Sequence, residues 1–494
     1  MSQEPVDLYT ILGVGRRASP ADIEAAYAAW QARADAGEPI SEQKWEQVRY
    51  AHDVLSSPQR REIYDSLVSE TAGAAIDLEL KLSTNSVPLA DTPHVLYALL
   101  TLRPRVAGGE RRRPLNLALV VDRSTSMRGE RLTQVIAAVD LLLDKLAAED
   151  MLSLVSFSDR AEVVLPAVAL GVAAQSANPE TAAAWRDPRR RLRAVVASGG
   201  TEIYQGLSAG LGQLARGATE GATSHLILLT DGRTYGDEAD CLRLADEAAA
   251  RGVGLTAFGL GADWNDTFLD ALVAPSGGQS HFIEGPGDVL PHLESRLQGL
   301  GAIHARNLTL RRTWPTQLTL RQGFKLAPFA QPLPADADPI PLGDLEGRSA
   351  VAVLLEFLVA PQSFPTRFQL PFEVRYTAAG GAAETAGRSA QVTAQGRPTT
   401  DVPAPTATLI EAVRRHNLYR MQEKAWDDAQ SGRLDTAAAR MSRLTARYME
   451  TGDLRLARQA QLEAQQLAHL GAMSAEGRKL LKYGTRSLMG QLEP

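Results

Sequence analysis

Leu115-Asn116-Leu117-Ala118-Leu119-Val120-Val121-Asp122-Arg123-Ser124-Thr125-Ser126 joins a nearly unbroken apolar run to a string of oxygen-bearing side chains. A short apolar run of this kind predicts a strand buried on both faces. The strand would then end in a carboxylate followed by two hydroxyls. Hard divalent cations take oxygen ligands, and Mg²⁺ in particular demands octahedral geometry and usually keeps several waters. A metal held mainly by neutral hydroxyls stays electrophilic enough to draw in a carboxylate from another protein. The chain therefore reads first as a metal-dependent binder.

Asp and Ser also cap helices, and the sequence after Met127 has a helical pattern, so the string alone reads more readily as an N-cap. Two further segments change that balance. Ser198-Gly199-Gly200-Thr201-Glu202-Ile203 sets a threonine on a glycine-rich turn ahead of the helix-like spacing Ile203, Leu207, Leu211 and Leu214. His225-Leu226-Ile227-Leu228-Leu229-Thr230-Asp231-Gly232 ends a second apolar run in an aspartate and a turn-forming glycine. In open parallel sheets, ligands gather outside the carboxyl ends of strands, which is where Asp122 and Asp231 are expected.

Together these segments resemble the von Willebrand factor type A domain, whose metal-ion-dependent adhesion site reads DxSxS, then T, then D. The resemblance implies Mg²⁺ contacts from Asp122, Ser124, Ser126, Thr201 and Asp231, with a coordination position left for an acidic residue of a partner. Mn²⁺ or Ca²⁺ would suit the same oxygen set. The surrounding pattern agrees. Leu132, Val135, Ile136, Val139, Leu142, Leu143 and Leu146 mark one face of a helix. Met151 to Phe157, Gly254 to Gly259 and Gln279 to Ile283 read as strands, separated by helical stretches around Glu238 to Arg251 and Asp266 to Val273. Such alternation predicts a doubly wound, mostly parallel sheet. Asp159 and Asp237 are expected near the rim and are left out of the ligand set.

At 494 residues the chain is too long for one ordinary core. Apolar content of 44% and charged content of 22% are those of a globular protein. The net charge of −6 gives no domain-sized basic face, so nucleic acid is not an expected partner. Arg111 to Arg113 and the cluster Arg186, Arg189, Arg190, Arg191 and Arg193 read as solvated loops. A single cysteine, Cys241, excludes an intramolecular disulfide framework. Met1 to Pro5 lacks the features of a signal peptide, and no stretch has the apolar length of a membrane span. These features predict a cytoplasmic protein with no membrane contact.

Asp7-Leu8-Tyr9-Thr10-Ile11-Leu12-Gly13-Val14, a helix from Ser19 to about Trp30, and Tyr50 to Pro58 with Ile63-Tyr64-Asp65 resemble a J-domain. In that family, activation of a DnaK-type chaperone depends on a His-Pro-Asp triplet. Gln31 to Ile40 has none, and the second helix carries Glu24, Ala25, Ala28 and Ala29 where basic residues are usual. His52 reads as an ordinary helix residue. A J-like docking or architectural module is the expectation.

Alternating runs such as Ile76 to Leu82, Leu308 to Leu310 and Phe372 to Tyr376 predict half-buried antiparallel strands on both sides of the α/β segment. One β-sandwich interrupted by an inserted domain is the economical reading, and it resembles bacterial proteins with an inter-alpha-inhibitor-like layout. Ala327 to Asp344 reads as a Pro-rich loop. Beyond the linker Gly396 to Pro405 the chain turns helical, with Gly432-Arg433-Leu434 and Gly452-Asp453-Leu454 repeating one turn pattern. A plain helical bundle is favoured over a tetratricopeptide-like groove. The basic end Arg478 to Gly484 reads as a docking tail or solvated.

The expected architecture is multidomain α/β, all-β and all-α: residues 1–70 a J-like helical domain, 75–105 with 305–398 a β-sandwich, 112–302 the von Willebrand factor type A domain inserted in it, and 406–494 a helical domain. The expected function is a cytosolic scaffold, not an enzyme, that binds an acidic residue of a partner protein through Mg²⁺. The resemblance adds a MoxR-type AAA+ ATPase as a partner class, since the chain has no GxxxxGK[ST] phosphate loop of its own. The alternatives are a co-chaperone of a DnaK-type chaperone, disfavoured by the missing triplet, and a Mg²⁺-dependent hydrolase, which would need an acid or base beside the metal. Apart from His225, expected at the far strand end, no His or Cys lies beside the three motif segments.

Overall fold

The computed structural model describes residues 8–15, 18–36, 41–57, 60–61, 75–105, 112–219, 221–234, 236–347, 349–378, 381–395 and 404–491. The first compact unit is N-terminal. Its helices α1 (Leu8–Leu12), α2 (Pro20–Asp35) and α3 (Glu42–Leu55) bury Leu8, Leu12, Ile23, Val48, Ala51 and Leu55 together. A capping box opens α2. Ser19 Oγ accepts from Asp22 N at 3.2 Å while Ser19 N donates to Asp22 Oδ2 at 2.7 Å. The helix runs beyond Trp30 to Asp35. His52 stacks on Tyr27 and lies 3.0 Å from Glu24, an ordinary helix contact. Ile63-Tyr64-Asp65, Pro58, Pro39, Arg111 and the linker residues 396–403 lie outside the described residues.

In the second unit, β1 (Ile76–Leu82), β2 (Ser86–Pro88) and β3 (His94–Pro104) come first. The α/β segment then interrupts them. Its centre is β4 (Leu115–Asp122), in which every residue is buried. Helix α4 (Glu130–Leu143) follows, then β5 (Met151–Phe157) and β6 (Ala161–Ala169). Leu146 falls just past the end of α4. Helices α5 (Pro179–Arg186), α6 (Pro188–Arg193) and α7 (Ile203–Arg216) lead to β7 (Thr223–Thr230). Helix α8 (Glu238–Ala250), β8 (Gly254–Leu260), α9 (Asp266–Val273), β9 (Gln279–Ile283) and α10 (Val289–Gly301) complete it.

The six strands are ordered β6-β5-β4-β7-β8-β9, all parallel except the edge strand β6. Alternation along β4 feeds two cores. Leu117, Leu119 and Val121 pack with α4 and α10, and Ala118 and Val120 pack with α7, α8 and α9. Helix α7 approaches on glycine: a Cβ at Gly210 would sit 2.6 Å from Val120 Cγ2.

After the insert come β10 (Ile303–Leu310), β11 (Leu318–Ala327), β12 (Gln331–Leu333), β13 (Ile340–Glu346), β14 (Val351–Val359), β15 (Thr366–Ala378) and β16 (Ala383–Gln395). Two five-stranded sheets result, β1-β3-β14-β11-β12 and β13-β10-β15-β16-β2, so strands from both sides of the insert share each sheet. The Pro-rich stretch read as a loop instead holds β12 and β13. Pro332 lies in β12, a three-residue strand at the sheet edge, where a missing N–H is tolerated.

Helices α11 (Ala407–Gln430), α12 (Leu434–Glu450), α13 (Leu454–Leu470) and α14 (Ala475–Gly490) bury Leu418, Met441, Leu444, Tyr448 and Leu481 in a core of their own. The basic segment in α14 is neither solvated nor a tail. Lys479, Lys482 and Arg486 are at most 4% exposed. Lys482 lies 2.8 Å from Asp270 and also pairs with Asp266, Arg486 reaches Asp270 at 2.6 Å, and Arg478 reaches Asp266 at 2.8 Å. Charge spacing read along the sequence looked like a solvated face because the partners lie on α9.

Burial works against ionisation of Asp270, yet Arg486 and Lys482 outweigh it and hold the carboxyl below its usual range. A depressed folded-state pKa contributes stability that is present above the unfolded value and lost as pH falls through the folded one. Asp270→Ala leaves two buried cations short of a partner and should cost about 3 kcal/mol or more at neutral pH. Urea unfolding of the two chains would measure this, and the difference should shrink as the pH drops below about 4.

Candidate metal-binding site

Strand β4 ends at Asp122 and β7 ends one residue before Asp231, and both carboxylates are 0% exposed. Because the two strands run parallel, with Val121 opposite Leu229, both side chains emerge at one end of the sheet. Asp122 Oδ1 accepts from Ser124 N at 2.7 Å and its Oδ2 accepts from Thr230 Oγ1 at 2.6 Å. The Ser124 and Ser126 hydroxyls lie 2.9 Å apart, and Ser126 Oγ donates to Asp231 Oδ1 at 2.7 Å. Arg131 Nη1 donates to Asp231 Oδ2 at 2.6 Å.

The N-cap reading of this string does not hold. A single tight turn covers Thr125–Met127, and α4 starts only at Glu130, preceded by Gly129 with no side-chain cap. Asp122 accepts from Ser124 N and Thr230, while the Ser124 and Ser126 hydroxyls face each other and Ser126 faces Asp231, so their hydrogen-bond partners lie away from the amino end of α4.

Thr201 arrives from the loop ahead of α7, which is tied down on several sides. Thr125 N and Oγ1 donate to Gly199 O at 3.0 and 2.9 Å, and Ser198 N donates to Arg123 O at 2.8 Å. Gly200 N donates to Asp159 Oδ1 at 2.8 Å. Gly199, at φ +80°, comes so close to Asp159 that a Cβ would sit 2.5 Å from its carboxylate. A Cβ on Gly232 would lie 3.0 Å from Thr201 Oγ1, so the glycine after Asp231 lets this hydroxyl reach the site. Hydrogen bonds link Asp122, Ser124, Ser126 and Asp231 in one chain, Thr201 lies beside Gly232, the residue after Asp231, and Thr201 is 5% exposed while Ser126 opens to solvent.

Asp159 and Asp237 act as loop anchors. Asp237 accepts from Tyr204 N at 3.0 Å and from Thr234 Oγ1. His225 sits at the opposite end of β7, buried, with Nε2 on the Thr256 hydroxyl. Cys241 is buried, as a small core residue would be. Thr230 and Arg131 are the functional neighbours that sequence reasoning missed. Thr230 is marked only by the pairing of β4 with β7, and Arg131 looks like any charged residue in a first helical turn.

Burial pushes the Asp122 carboxyl up to about 6, against the hydrogen bonds from Thr230 and Ser124, and neighbouring Asp231 adds to the rise. Among the described residues no basic side chain pairs with Asp122, and Arg131 is the cation on Asp231. Two buried carboxylates and one guanidinium leave negative charge uncompensated, which is costly unless something positive arrives. Among the described residues no three His, Cys, Asp or Glu gather into a metal site. A cation here would rely on the hydroxyls of Ser124, Ser126 and Thr201, a donor set that suits a hard ion.

Residues 116–288 match the von Willebrand factor type A domain, residues 7–65 the DnaJ domain, and residues 407–491 the Sll0103-like, C-terminal alpha-helical domain. Protein sll0103 of Synechocystis sp. is 32% identical over 236 residues, 48% of this chain and 53% of that protein. Inter-alpha-trypsin inhibitor heavy chain H4 of Bos taurus is 25% identical over 263 residues, 51% of this chain and 26% of that protein. The chain thus spans about half the length of the first relative and a quarter of the second. The solved von Willebrand factor type A structure from Catenulispora acidiphila shares the fold, with a TM-score of 0.65 at 17% identity over 84% of this chain and 96% of that one. The chain carries a von Willebrand factor type A domain, a type that typically mediates protein–protein interaction and is usually non-enzymatic, between a DnaJ domain and a Sll0103-like helical domain.

Proposed function

We propose that this protein is a cytoplasmic scaffold that captures an acidic residue of a partner protein through Mg²⁺ held by Asp122, Ser124, Ser126, Thr201 and Asp231. The observation that carries this reading is the convergence of two fully buried carboxylates with hydroxyl oxygens at the carboxyl end of the sheet, Ser126 being open to solvent. Bound there, Mg²⁺ supplies an electrophilic point for a partner's carboxylate. The chain's own part is to hold the oxygens in place. Thr230 and Ser124 N fix Asp122, and the anchored turn at Gly199 fixes Thr201.

A single cysteine supports a reducing compartment, and among the described residues no helix is long and apolar enough to cross a membrane. A MoxR-type AAA+ ATPase is a partner class consistent with a domain that lacks a phosphate loop. A DnaK-type chaperone is disfavoured as partner, because Gln31 to Ile40 holds no His-Pro-Asp.

Mg²⁺ at a hundredfold excess over its Kd should stabilise the wild-type chain by about 2.7 kcal/mol. Asp122→Asn should show no such gain in a thermal or urea titration. The pH dependence has a definite sign. With its pKa raised to about 6, Asp122 takes up a proton in the folded state more readily than in the unfolded one. The metal-free chain therefore gains stability from this group as pH falls through about 6, while the cation must displace the proton. Mg²⁺ affinity should hold level at neutral pH and fall about tenfold per unit below about 6, as measured by calorimetry.

Affinity capture from native lysate tests the function itself. A partner retained by the wild type in Mg²⁺ and lost both in EDTA and with Asp231→Ala is the expected outcome. Equal capture in all three conditions would overturn the reading.

A further inference from the structure

Both oxygens of Asp122 and one of Asp231 are held by groups outside the hydroxyl set, Asp122 Oδ1 by Ser124 N at 2.7 Å. Asp122 Oδ2 takes the Thr230 hydroxyl at 2.6 Å, and Asp231 Oδ2 takes Arg131 Nη1 at 2.6 Å. Only the Arg131 contact is an ion pair, and it joins a fully buried carboxylate to a guanidinium that is 34% exposed. Arg131 is itself held. It stands in the first turn of α4, and its guanidinium lies against Gly261, where a Cβ would come within 3.0 Å of Nη2. The oxygen left to Asp231 is Oδ1, which faces Ser126.

We propose, building on the metal-dependent reading above, that Arg131 determines cation specificity by fixing Asp231 as a one-oxygen donor, so that the site prefers Mg²⁺ to Ca²⁺. Ca²⁺ takes about six to eight oxygens and readily uses both oxygens of one carboxylate, whereas Mg²⁺ takes about six at shorter distance in near-ideal octahedral geometry. A guanidinium seated on Oδ2 removes the two-oxygen option. It also cancels one unit of negative charge, and Ca²⁺ sites are tuned by the number of charged ligands they collect. Arg keeps its proton at any ordinary pH, so the restraint does not titrate away. A Lys at this position would keep the charge and offer one N–H to the same oxygen, with a less rigid hold.

Calorimetric titration of the full chain with MgCl₂ and with CaCl₂ separately tests this, using wild type, Arg131→Gln, Arg131→Lys and Asp122→Asn. Wild type should bind Mg²⁺ more tightly than Ca²⁺ by about tenfold or more. Arg131→Gln should tighten Ca²⁺ binding by about tenfold while moving Mg²⁺ by about threefold or less, because freeing Oδ2 adds a ligand that only the larger ion can use. Arg131→Lys should keep most of the wild-type preference, which a merely structural role for the side chain would not require. A Ca²⁺-to-Mg²⁺ affinity ratio in Arg131→Gln equal to that of wild type overturns the inference, as does loss of the preference in Arg131→Lys. If wild type binds Mg²⁺ and Asp122→Asn does not, the underlying reading stands whatever Arg131 does. If wild type binds neither cation, that reading fails and this one with it.

Discussion

A carboxylate with no solvent contact, at the end of a strand with no solvent contact, is the constraint on which this molecule turns. Asp122 closes β4, the strand that feeds both cores of the α/β domain, so it cannot swing outward without disturbing the packing behind it. Burying a charge costs several kcal/mol unless it is compensated. The protein compensates in part, with the Thr230 hydroxyl and the Ser124 amide, and leaves the remainder as a raised pKa and an appetite for positive charge. The glycine turn that presents Thr201 and the tight turn that presents Ser126 are arranged around that residual charge.

The parts of this arrangement that depend on local pattern are legible in the amino-acid order. Six apolar residues among the seven before Asp122 and the apolar run Leu226 to Leu229 ahead of Thr230-Asp231 specify buried strands, and the helical spacing of Leu132, Val135 and Val139 specifies the layer above them. What stays hidden depends on register between distant segments. Thr230 donates to Asp122 because β4 and β7 are neighbours in the sheet, and Arg131 meets Asp231 because α4 and β7 contribute to the same core. Pro332 and Pro339 made a strand-bearing segment look like a loop, since proline is read as a strand breaker without knowing which strand will be an edge.

The same limit explains α14. Arg478, Lys479, Lys482 and Arg486 carry four positive charges within nine residues, a composition that usually means solvent. Asp266 and Asp270, on the exposed-looking side of α9, answer them, and Lys479 lies over the Trp264 ring while donating to Trp264 O at 2.7 Å. The helical domain is thereby fastened to the α/β domain by ion pairs and a cation–π contact rather than by an apolar seam alone. Such a contact fixes orientation, because a rotation of α14 by even one residue would separate several charged partners at once.

The interrupted sandwich carries a consequence for how the chain comes together. Strand β3 lies beside β14, with Leu102 opposite Val351, although the whole α/β domain separates them along the chain. The insert holds its own ends side by side, for Gly301 at the end of α10 lies against Arg112 just before β4. Closing so long a connection as a loose loop carries an entropic cost, whereas a folded insert has already met it. A folded insert with its ends together therefore sets β10 and its successors within reach of β1 to β3, whereas an unfolded one would leave the two halves of each sheet joined only by a long loose connection.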